Sequence, residues 1–309
     1  MKSGRGSRLP VIQRLSDFPR DDAVYVGTVR SPVSKGSIVS ISLPHLPRDY
    51  RSITADDIPG SRAIKVQGTT VPVLAAGRVS YRGEPLALIV GPDRAKVAEA
   101  ISLTRVRVEE EQADYSFEAC DSSRIVTQEF LETGDVEAAF GSAARIVESD
   151  YRIGPQDHYY SEPQGSAAAF DYDKLFVFSS TQWPFHVRTS VAEVLGVRKE
   201  EVVVHPTLLG SHLDGKIWYP SLLACHAALA SVLCGKPALL LLTRPEDFLY
   251  TTKRAPVLAS YRAGLDESGA LVALDARIMI NTGAYAPFAE HMLERSVHAA
   301  TGAYSCRNV

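Results

Sequence analysis

A run of small and apolar residues in the second half of the chain is the feature that most constrains its fold. The run extends from Leu222 to Leu233 and, after a loop ending at Gly215, predicts a helix to Cys234 that is apolar on nearly every face. Such a helix must be covered on all sides, so it belongs in the middle of a domain. It is shorter than the roughly 20 residues of a membrane span, and its His226 is predicted to be a hydrogen-bonded core residue.

The composition allows a sizeable core around this helix. The chain has 309 residues, of which 45% are hydrophobic and 22% charged. At roughly 100–200 residues per domain, this length indicates two globular units. The formal net charge of −3 gives no general attraction to phosphate backbones or anionic lipids. We therefore expect neither a nucleic acid nor a membrane as a partner.

The beginning of the chain and its cysteines restrict the location and the redox chemistry. Residues 1–22 are largely polar and basic and are predicted to form a flexible leader, with order beginning near Ala23. This leader lacks the apolar stretch of a secretory signal, so we expect a cytoplasmic protein. No two of the cysteines are spaced as C-x-x-C, which argues against a zinc ribbon or an iron–sulfur cluster built by this chain alone. Any electron carrier is then expected on a partner.

The predicted fold class is α+β, with domains at 23–125 and 126–309. The first domain is predicted to contain strands at 24–30, 37–43, 86–90 and 104–108. A helix beginning near Pro92 joins the last two strands into a β-α-β unit. Residues 44–71 are predicted to be a loop with a short helix near Asp56, and the acidic segment 109–133 is a candidate linker.

The second domain shows a longer series of alternating elements. Helices are predicted at 135–140, at 185–195 and in the apolar run that ends at Cys234. Strands are predicted at 143–153, 165–170, 174–180, 201–205, 238–242, 257–264 and 270–281.

The loop before the apolar helix is the first candidate site. It reads Gly210-Ser-His-Leu-Asp-Gly-Lys216 and follows a predicted strand, so backbone N–H groups at the helix start could hold an anion. Two glycines and a lysine do not form a P-loop, which needs more glycine and a Ser or Thr after the lysine. An anion site and an ordinary connecting loop both stay open. Ser211, His212 and Asp214 do not indicate a serine hydrolase, because no G-x-S-x-G elbow is present.

Two further groups of polar residues each leave two interpretations open. His291, Glu294 and His298 would share one face of a helix and could bind a metal, although a solvated face with incidental histidines is the commoner arrangement. Lys253 and Arg254 could hold an anion or be exposed charges at the start of a strand.

Three stretches, taken in order, carry a family resemblance. The first is R-V-S-Y-R-G-E-P-L-A-L-I-V at 78–90; the second is H-Y-Y-S-E-P at 158–163 with S-T-Q-W-P at 180–184. The third is T-R-P-E-D-F at 243–248, with K-R at 253–254 and G-A-Y at 283–285. Their order and spacing resemble the large, molybdopterin-binding subunit of the xanthine dehydrogenase and aldehyde oxidase family of molybdenum hydroxylases. The implied fold is a hammerhead-like α/β domain followed by the first part of the molybdopterin-binding domain.

The resemblance implies a molybdenum ion held by molybdopterin. Enzymes of this kind transfer water-derived oxygen to an aldehyde or N-heterocycle carbon and pass electrons to iron–sulfur and FAD modules, here expected on partner subunits. Gln182 matches the glutamine that hydrogen-bonds an oxo ligand of the metal, and 210–216 lies where the family has G-G-G-F-G-G-K. The implied cofactor-binding residues are Gln182, Gly210, Ser211, His212, Leu213, Asp214 and Gly215. We expect Gln182 to lie within about 10 Å, or two strand spacings, of the loop.

The loop also departs from the family pattern. Ser211, His212 and Asp214 stand where the family has glycines, and Leu213 replaces its phenylalanine. We expect side chains at these glycine positions to weaken cofactor capture. Ile217, the implied substrate residue, stands where purine-oxidising members have a glutamate, which does not favour xanthine as the substrate.

The last residues resemble the middle of the family's catalytic subunit. G-A-Y-S-C-R-N-V at 302–309 is similar to G-P-Y-x-x-P-N-V, and the family's base glutamate has no counterpart in these residues, so no catalytic residue is expected within the chain. A truncated product and a naturally split subunit both stay open. The chain is either a catalytic part completed by another chain, or a cofactor-less structural or assembly subunit. In both cases we expect it to associate with a partner or with a second copy.

Overall fold

The computed structural model describes residues 12–116 and 122–309 and has the mixed helix and strand composition predicted for the chain. The strands are β1 Val24–Arg30, β2 Gly36–Ser42, β3 Arg51–Ile53, β4 Ala63–Val66, β5 Thr69–Pro72, β6 Arg78–Val79, β7 Pro85–Gly91, β8 Arg105–Glu110, β9 Arg145–Ile153, β10 Gly165–Asp171, β11 Lys174–Ser179, β12 Val202–Pro206, β13 Ala238–Leu241, β14 Val257–Leu265 and β15 Leu271–Ile280. The helices are α1 Arg94–Leu103, α2 Val136–Ser142, α3 Pro184–Leu195, α4 Tyr219–Cys234, α5 Arg244–Tyr250 and α6 Ala289–His298.

The chain divides into two compact units, and each is assembled from separate stretches of sequence. The first unit comprises residues up to 113 together with 157–252, and the second comprises 114–156 together with 253–309. The predicted sequence domains, 23–125 and 126–309, both contribute strands to the first unit, and their boundaries stay a prediction.

A seven-stranded mixed sheet forms the centre of the first unit. Its strand order is β12-β11-β10-β13-β1-β7-β3. β1 runs parallel to β13, with Val24 opposite Ala238, and antiparallel to β7. Because these two pairings place β1 between β13 and β7, the sheet continues from the N-terminal part of the chain into the strands that follow residue 157.

The first predicted domain, 23–125, differs from the sequence prediction in one connection and one loop. β7 and β8, predicted to form one β-α-β unit around α1, lie in different sheets, because β8 pairs antiparallel with β2 in a sheet of order β6-β2-β8. The predicted loop at 44–71 also contains β3, β4 and the start of β5. Its isolated apolar residues are the reason: Ile53, Ile64 and Val66 are fully buried although Pro, Asp and Gly surround them.

The apolar helix is α4, and its predicted central position is confirmed. It packs against α3 and against β1, β10, β11 and β13. Leu222, Leu223, Ala224 and Cys225 are successive residues with no exposed surface, so every face of the helix is covered. Within the described ranges, no helix is long and apolar enough to cross a membrane.

The predicted leader differs from the structure at 12–22; residues 1–11 lie outside the described residues. Ile12, Leu15 and Phe18 are buried and pack with Phe178 of β11 and Leu239 of β13. Three apolar side chains spaced three residues apart are sufficient to hold this otherwise polar stretch on the sheet, since each removes apolar surface from water.

The second unit is a three-stranded antiparallel sheet of order β15-β14-β9. The last residues of the chain hold it to the segment before α2: Thr133 and Val309 exchange two backbone hydrogen bonds of 2.9 and 3.0 Å. The Asn308 side chain donates to Val272 O at 2.8 Å. β9 is an edge strand whose residues are all exposed, Ile146, Val147 and Tyr151 among them.

His226 on α4 has the predicted role of a hydrogen-bonded core histidine. Its Nε2 lies 2.7 Å from Val73 O, and because a carbonyl only accepts, Nε2 carries the proton. Its Nδ1 has no hydrogen-bond partner among the described residues. Complete burial lowers the pKa of His226 from 6.5 to about 4, so the folded protein holds a neutral imidazole.

We predict that this histidine makes the folded state less stable in mild acid. Above pH 6.5 the imidazole is neutral in both states; between 6.5 and about 4 the unfolded chain binds a proton that the folded chain does not. The free energy of unfolding should therefore fall by about 2 kcal/mol between pH 7 and pH 5 because of this group. The free energy of unfolding, measured with urea at both pH values, should depend less on pH in His226→Gln than in the wild type. The exposed His298→Gln should keep the wild-type dependence, and equal dependence in all three proteins would contradict the prediction.

Candidate functional site

Two adjacent parallel strands of the first unit bring the candidate residues together. β11 and β12 are parallel, with Leu175 opposite Val202, so the segments that follow them leave the sheet at the same edge. The segment after β11 contains Gln182 and ends where Pro184 begins α3, since proline is well accommodated in the first helical turn. The segment after β12 is the 210–216 loop. The meeting of the two follows from the topology of the sheet.

Gln182 lies directly against the loop, and the expected proximity is confirmed. Its backbone N–H donates to Lys216 O at 2.8 Å, and its Oε1 accepts from Lys216 N at 3.1 Å. A backbone N–H can only donate, so Oε1 must face Lys216 and Nε2 must point the other way. Nε2 donates to Asp214 Oδ1 at 2.9 Å. The side-chain amide is thus held by the backbone N–H of Lys216 and the carboxylate of Asp214, while the backbone N–H of Gln182 donates to Lys216 O.

The loop backbone has a conformation that suits glycine. Gly210, Ser211, Leu213 and Asp214 have φ values of 55°, 60°, 46° and 60°. Side chains other than glycine adopt this left-handed region at a cost of roughly 1 kcal/mol each. Ser211 and Asp214 therefore keep a backbone that glycine would adopt without strain, although their side chains add volume and charge at the exposed tip of the loop.

Gly215 is required by close packing. A Cβ at this position would lie 2.4 Å from Tyr160 Cε1 and 2.8 Å from His158 Cγ. No side chain fits there without moving the Tyr160 ring. The end of the loop therefore rests directly on the segment before β10.

Lys216 is the functional candidate that the sequence analysis did not select. It has no exposed surface, and its Nζ donates to Ser180 Oγ at 2.9 Å and to Leu209 O at 3.0 Å. Glu162 Oε2 lies 3.6 Å from Nζ. Burial lowers the pKa of Lys216, while the charge of Glu162 opposes this shift. The ammonium group thereby ties Lys216, at the end of the loop, to Leu209 at its start. The available sequence signal was a lysine shortly before an entirely apolar helix.

A buried hydrogen-bond network supports the other side of the loop. Gln164 Nε2 donates to Gly215 O at 2.9 Å and to the Tyr160 hydroxyl at 2.7 Å. That hydroxyl donates to Asp247 Oδ1 at 2.9 Å. Burial raises the pKa of Tyr160, so its hydroxyl stays protonated and remains a donor. Asp247 also forms an ion pair with Arg244 at 3.3 Å, which compensates its buried charge.

The remaining candidates have different surroundings. Ser211, Leu213 and Asp214 are exposed, His212 is half-buried, and Ile217 is half-buried at the start of the segment leading to α4. Their roles as cofactor-binding or substrate residues stay predictions.

The described polar groups of the second unit are not gathered into a metal site. His291 and Glu294 are exposed on α6, 3.8 Å apart. Within 12–116 and 122–309, no group of three His, Cys, Asp or Glu side chains is placed to hold a metal ion. Arg254, considered as an anion ligand, donates to Gln156 Oε1 at 2.9 Å.

Comparison with known families gives two matches that together cover most of the chain. Residues 13–112 match the family described as "Aldehyde oxidase and xanthine dehydrogenase, a/b hammerhead domain". Residues 119–309 match the family described as "Molybdopterin cofactor-binding domain".

Individual relatives agree with these matches. The chain is 29% identical to Aldehyde oxidase 2 of Cavia porcellus over 302 residues, which are 95% of this chain and 22% of that protein. It is 31% identical to Xanthine dehydrogenase of Blastobotrys adeninivorans over 83% of this chain and 19% of the relative. It is 27% identical to a probable xanthine dehydrogenase subunit of Bacillus subtilis (strain 168), over 99% of this chain and 43% of the relative. The chain thus spans 19% to 43% of the length of these relatives.

Solved structures show the same fold. The aldehyde oxidoreductase from Desulfovibrio gigas superposes with a TM-score of 0.79 at 21% identity, covering 94% of this chain and 34% of that one. Quinoline 2-oxidoreductase from Pseudomonas putida 86 superposes with a TM-score of 0.73 at 24% identity, covering 86% of this chain and 37% of that one. The predicted α+β fold, a hammerhead-like domain followed by part of a molybdopterin-binding domain, is confirmed.

We predict that Lys216→Met destabilises the protein by about 3 kcal/mol, because it leaves the buried Ser180 hydroxyl and Leu209 carbonyl without their donor. Urea unfolding measures the loss, and limited proteolysis should show faster cleavage at 210–216. Lys174→Met, which removes the same charge at an exposed position on β11, should cost less than about 0.5 kcal/mol. Equal losses in the two variants would show that the buried ammonium does not anchor the loop.

Proposed function

Because the chain belongs to the aldehyde oxidase and xanthine dehydrogenase family of molybdenum hydroxylases and contains a molybdopterin cofactor-binding domain, we propose that it forms part of the molybdopterin-binding subunit of such an enzyme in the cytoplasm. The observation that carries the proposal is the contact of Gln182 with the 210–216 loop. There the Gln182 amide donor contacts a turn of left-handed backbone, and buried side chains support this contact from below.

The residues present fit a cofactor held by backbone amides and one side-chain amide. The positive φ values at Gly210, Ser211 and Asp214 preserve the turn, and Gly215 lies where no side chain has room. The Gln182 amide points Nε2 toward the tip of the loop. Asp214 occupies that donor in this conformation, so the fit requires the carboxylate to move.

Each residue has a separate task in this proposal. The bound molybdenum centre would supply oxygen transfer from water to an aldehyde or N-heterocycle carbon. Gln182 would donate a hydrogen bond to a developing negative charge on oxygen, a donor that costs no reorganisation because Lys216 already orients the amide. Ile217 would offer an apolar contact to substrate and no hydrogen bond to a purine. The base is expected from another chain.

Partner chains would complete the enzyme. We propose a chain carrying the rest of the molybdopterin-binding part, together with iron–sulfur and FAD subunits. The relative from Bacillus subtilis is named as a subunit, which supports assembly from several chains. The exposed apolar residues of the edge strand β9 also favour a partner, because an open edge with apolar side chains is a pairing surface.

A second candidate is a cofactor-less structural or assembly subunit of the same enzyme class. The Asp214–Gln182 hydrogen bond favours it, because a carboxylate takes the donor that an oxygen ligand would need. Both candidates make the same prediction about partners and opposite predictions about metal content.

We predict that the tagged chain, purified from its own host with the proteins that associate with it, contains molybdenum and pterin. Gln182→Ala should lower both about tenfold, since one hydrogen bond to a charged group contributes roughly 1.5 kcal/mol. Elemental analysis and fluorescence of the oxidised pterin measure the two contents. Gln112→Ala, an exposed glutamine of the first unit, is the matched control. A complete complex without molybdenum in the wild type would favour the cofactor-less subunit.

We also predict that the chain produced alone holds no molybdenum and associates with itself through β9, since a symmetric dimer covers an open edge. Light scattering should give a mass above that of one chain. Tyr151→Glu, on the edge strand, should return it to a monomer, whereas Phe185→Glu, at a 77% exposed site of the first unit, should not. A monomeric wild type would refute this part.

A further inference from the structure

The Asp214–Gln182 hydrogen bond joins a loop residue that departs from the family motif to a glutamine that matches it. Asp214 stands at a position where the matching family motif has glycine, and its Oδ1 lies 2.9 Å from Gln182 Nε2. Resting on the proposed function, we propose that Asp214 is an internal ligand of Gln182: its carboxylate closes the site in the cofactor-free chain and must leave before an anionic oxygen can bind.

The amide itself is not free to open the site. Gln182 N–H donates to Lys216 O, and Lys216 N–H donates to Gln182 Oε1, so backbone and side chain of Gln182 are both tied to one residue. Lys216 is in turn anchored by its buried ammonium group. Turning the amide away would break the 3.1 Å bond from Lys216 N. The moving part of the contact is therefore Asp214.

Asp214 has the properties of a releasable ligand. Its side chain is 75% exposed and lies on the tip of the loop, where its φ of 60° is a conformation that few residues other than glycine adopt. The nearest side chain of its own loop with a titratable group is His212, whose Nδ1 is 3.9 Å from Asp214 Oδ1 and accepts from Asp214 N at 3.3 Å. Water can solvate the carboxylate as soon as it leaves Gln182, so release does not require burying a charge.

The Asp214 carboxylate competes with ligands that present an anionic oxygen to Gln182. The Asp214 carboxylate and an anionic oxygen of a phosphate or oxo ligand would both accept a hydrogen bond from Gln182 Nε2. Two negative charges at this one donor repel each other. Asp214 thus lowers the capture of an anionic cofactor, and its effect passes through Gln182. A neutral ligand would not experience this charge repulsion.

The first measurement tests the contact in the cofactor-free full-length chain. Proton exchange of the Gln182 side-chain amide, followed by NMR, should be at least about tenfold faster in Asp214→Gly than in the wild type. Asp22→Gly is the matched control, because it makes the same change at an exposed, left-handed aspartate outside the loop and leaves Asp214 in place. Equal rates of Gln182 amide exchange in all three chains would overturn the proposal that Asp214 is an internal ligand of Gln182.

The second measurement tests the consequence. Each chain, in complex with its co-purifying partners, is incubated with isolated molybdopterin cofactor, and bound molybdenum and pterin are counted per chain. Asp214→Gly should bind at least about tenfold more at limiting cofactor, and Asp22→Gly should match the wild type. In the Gln182→Ala background, Asp214→Gly should bring no gain, because the competition needs the amide.

The outcomes separate this inference from the proposed function. Equal and measurable capture by the wild type and Asp214→Gly, or an equal gain from Asp22→Gly, overturns the competition while leaving a cofactor-binding subunit intact. If no variant captures cofactor although the amide exchange changes as expected, the proposed function fails, while Asp214 remains an internal ligand of Gln182. A gain confined to Asp214→Gly with Gln182 present supports both.

Discussion

The complete burial of α4 is the constraint on which the rest of the structure depends. A helix without a polar face has to be covered on every side, and strands β10, β11 and β13 do not cover it alone. β1 joins them by pairing with β13, which draws the N-terminal part of the chain into the same sheet. The helix also sets the position of the residues just before it. Lys216 precedes α4 at the edge of the core, where its charge has to be satisfied by the protein.

The candidate site combines a rigid base with an exposed tip. The base is the buried set Lys216, Tyr160, Gln164 and Asp247, in which charges and hydroxyl groups are paired. The tip is 211–214, where Ser211, Leu213 and Asp214 have left-handed backbone conformations and the side chains face solvent or are half-buried. Gln182 joins the two parts, because Lys216 fixes its amide oxygen while Asp214 takes its amide nitrogen. This division explains how a turn of left-handed backbone can persist although side chains other than glycine occupy its tip.

The same division separates the two functional candidates. A molybdopterin-binding part needs the Gln182 donor and the glycine-type turn, and both are present in the first unit. A structural subunit needs a stable sheet and partner surfaces, and the exposed β9 strand would serve it equally well. The carboxylate of Asp214 is therefore the group on which the choice depends.

The sequence by itself determined the central helix, most of the strands, the family resemblance and the residues of the loop, because hydrophobic periodicity and ordered motifs are local properties of the chain. It did not determine that β7 and β8 lie in different sheets, or that 12–18 packs on the core, because strand pairing and the burial of isolated apolar residues depend on contacts between distant segments. Tertiary structure alone decided the site's electrostatics. Lys216 became a buried anchor and Asp214 a ligand of Gln182 only when the segments after β11 and β12 met at one edge of the sheet, since hydrogen bonds between residues more than thirty positions apart leave no local pattern in the sequence.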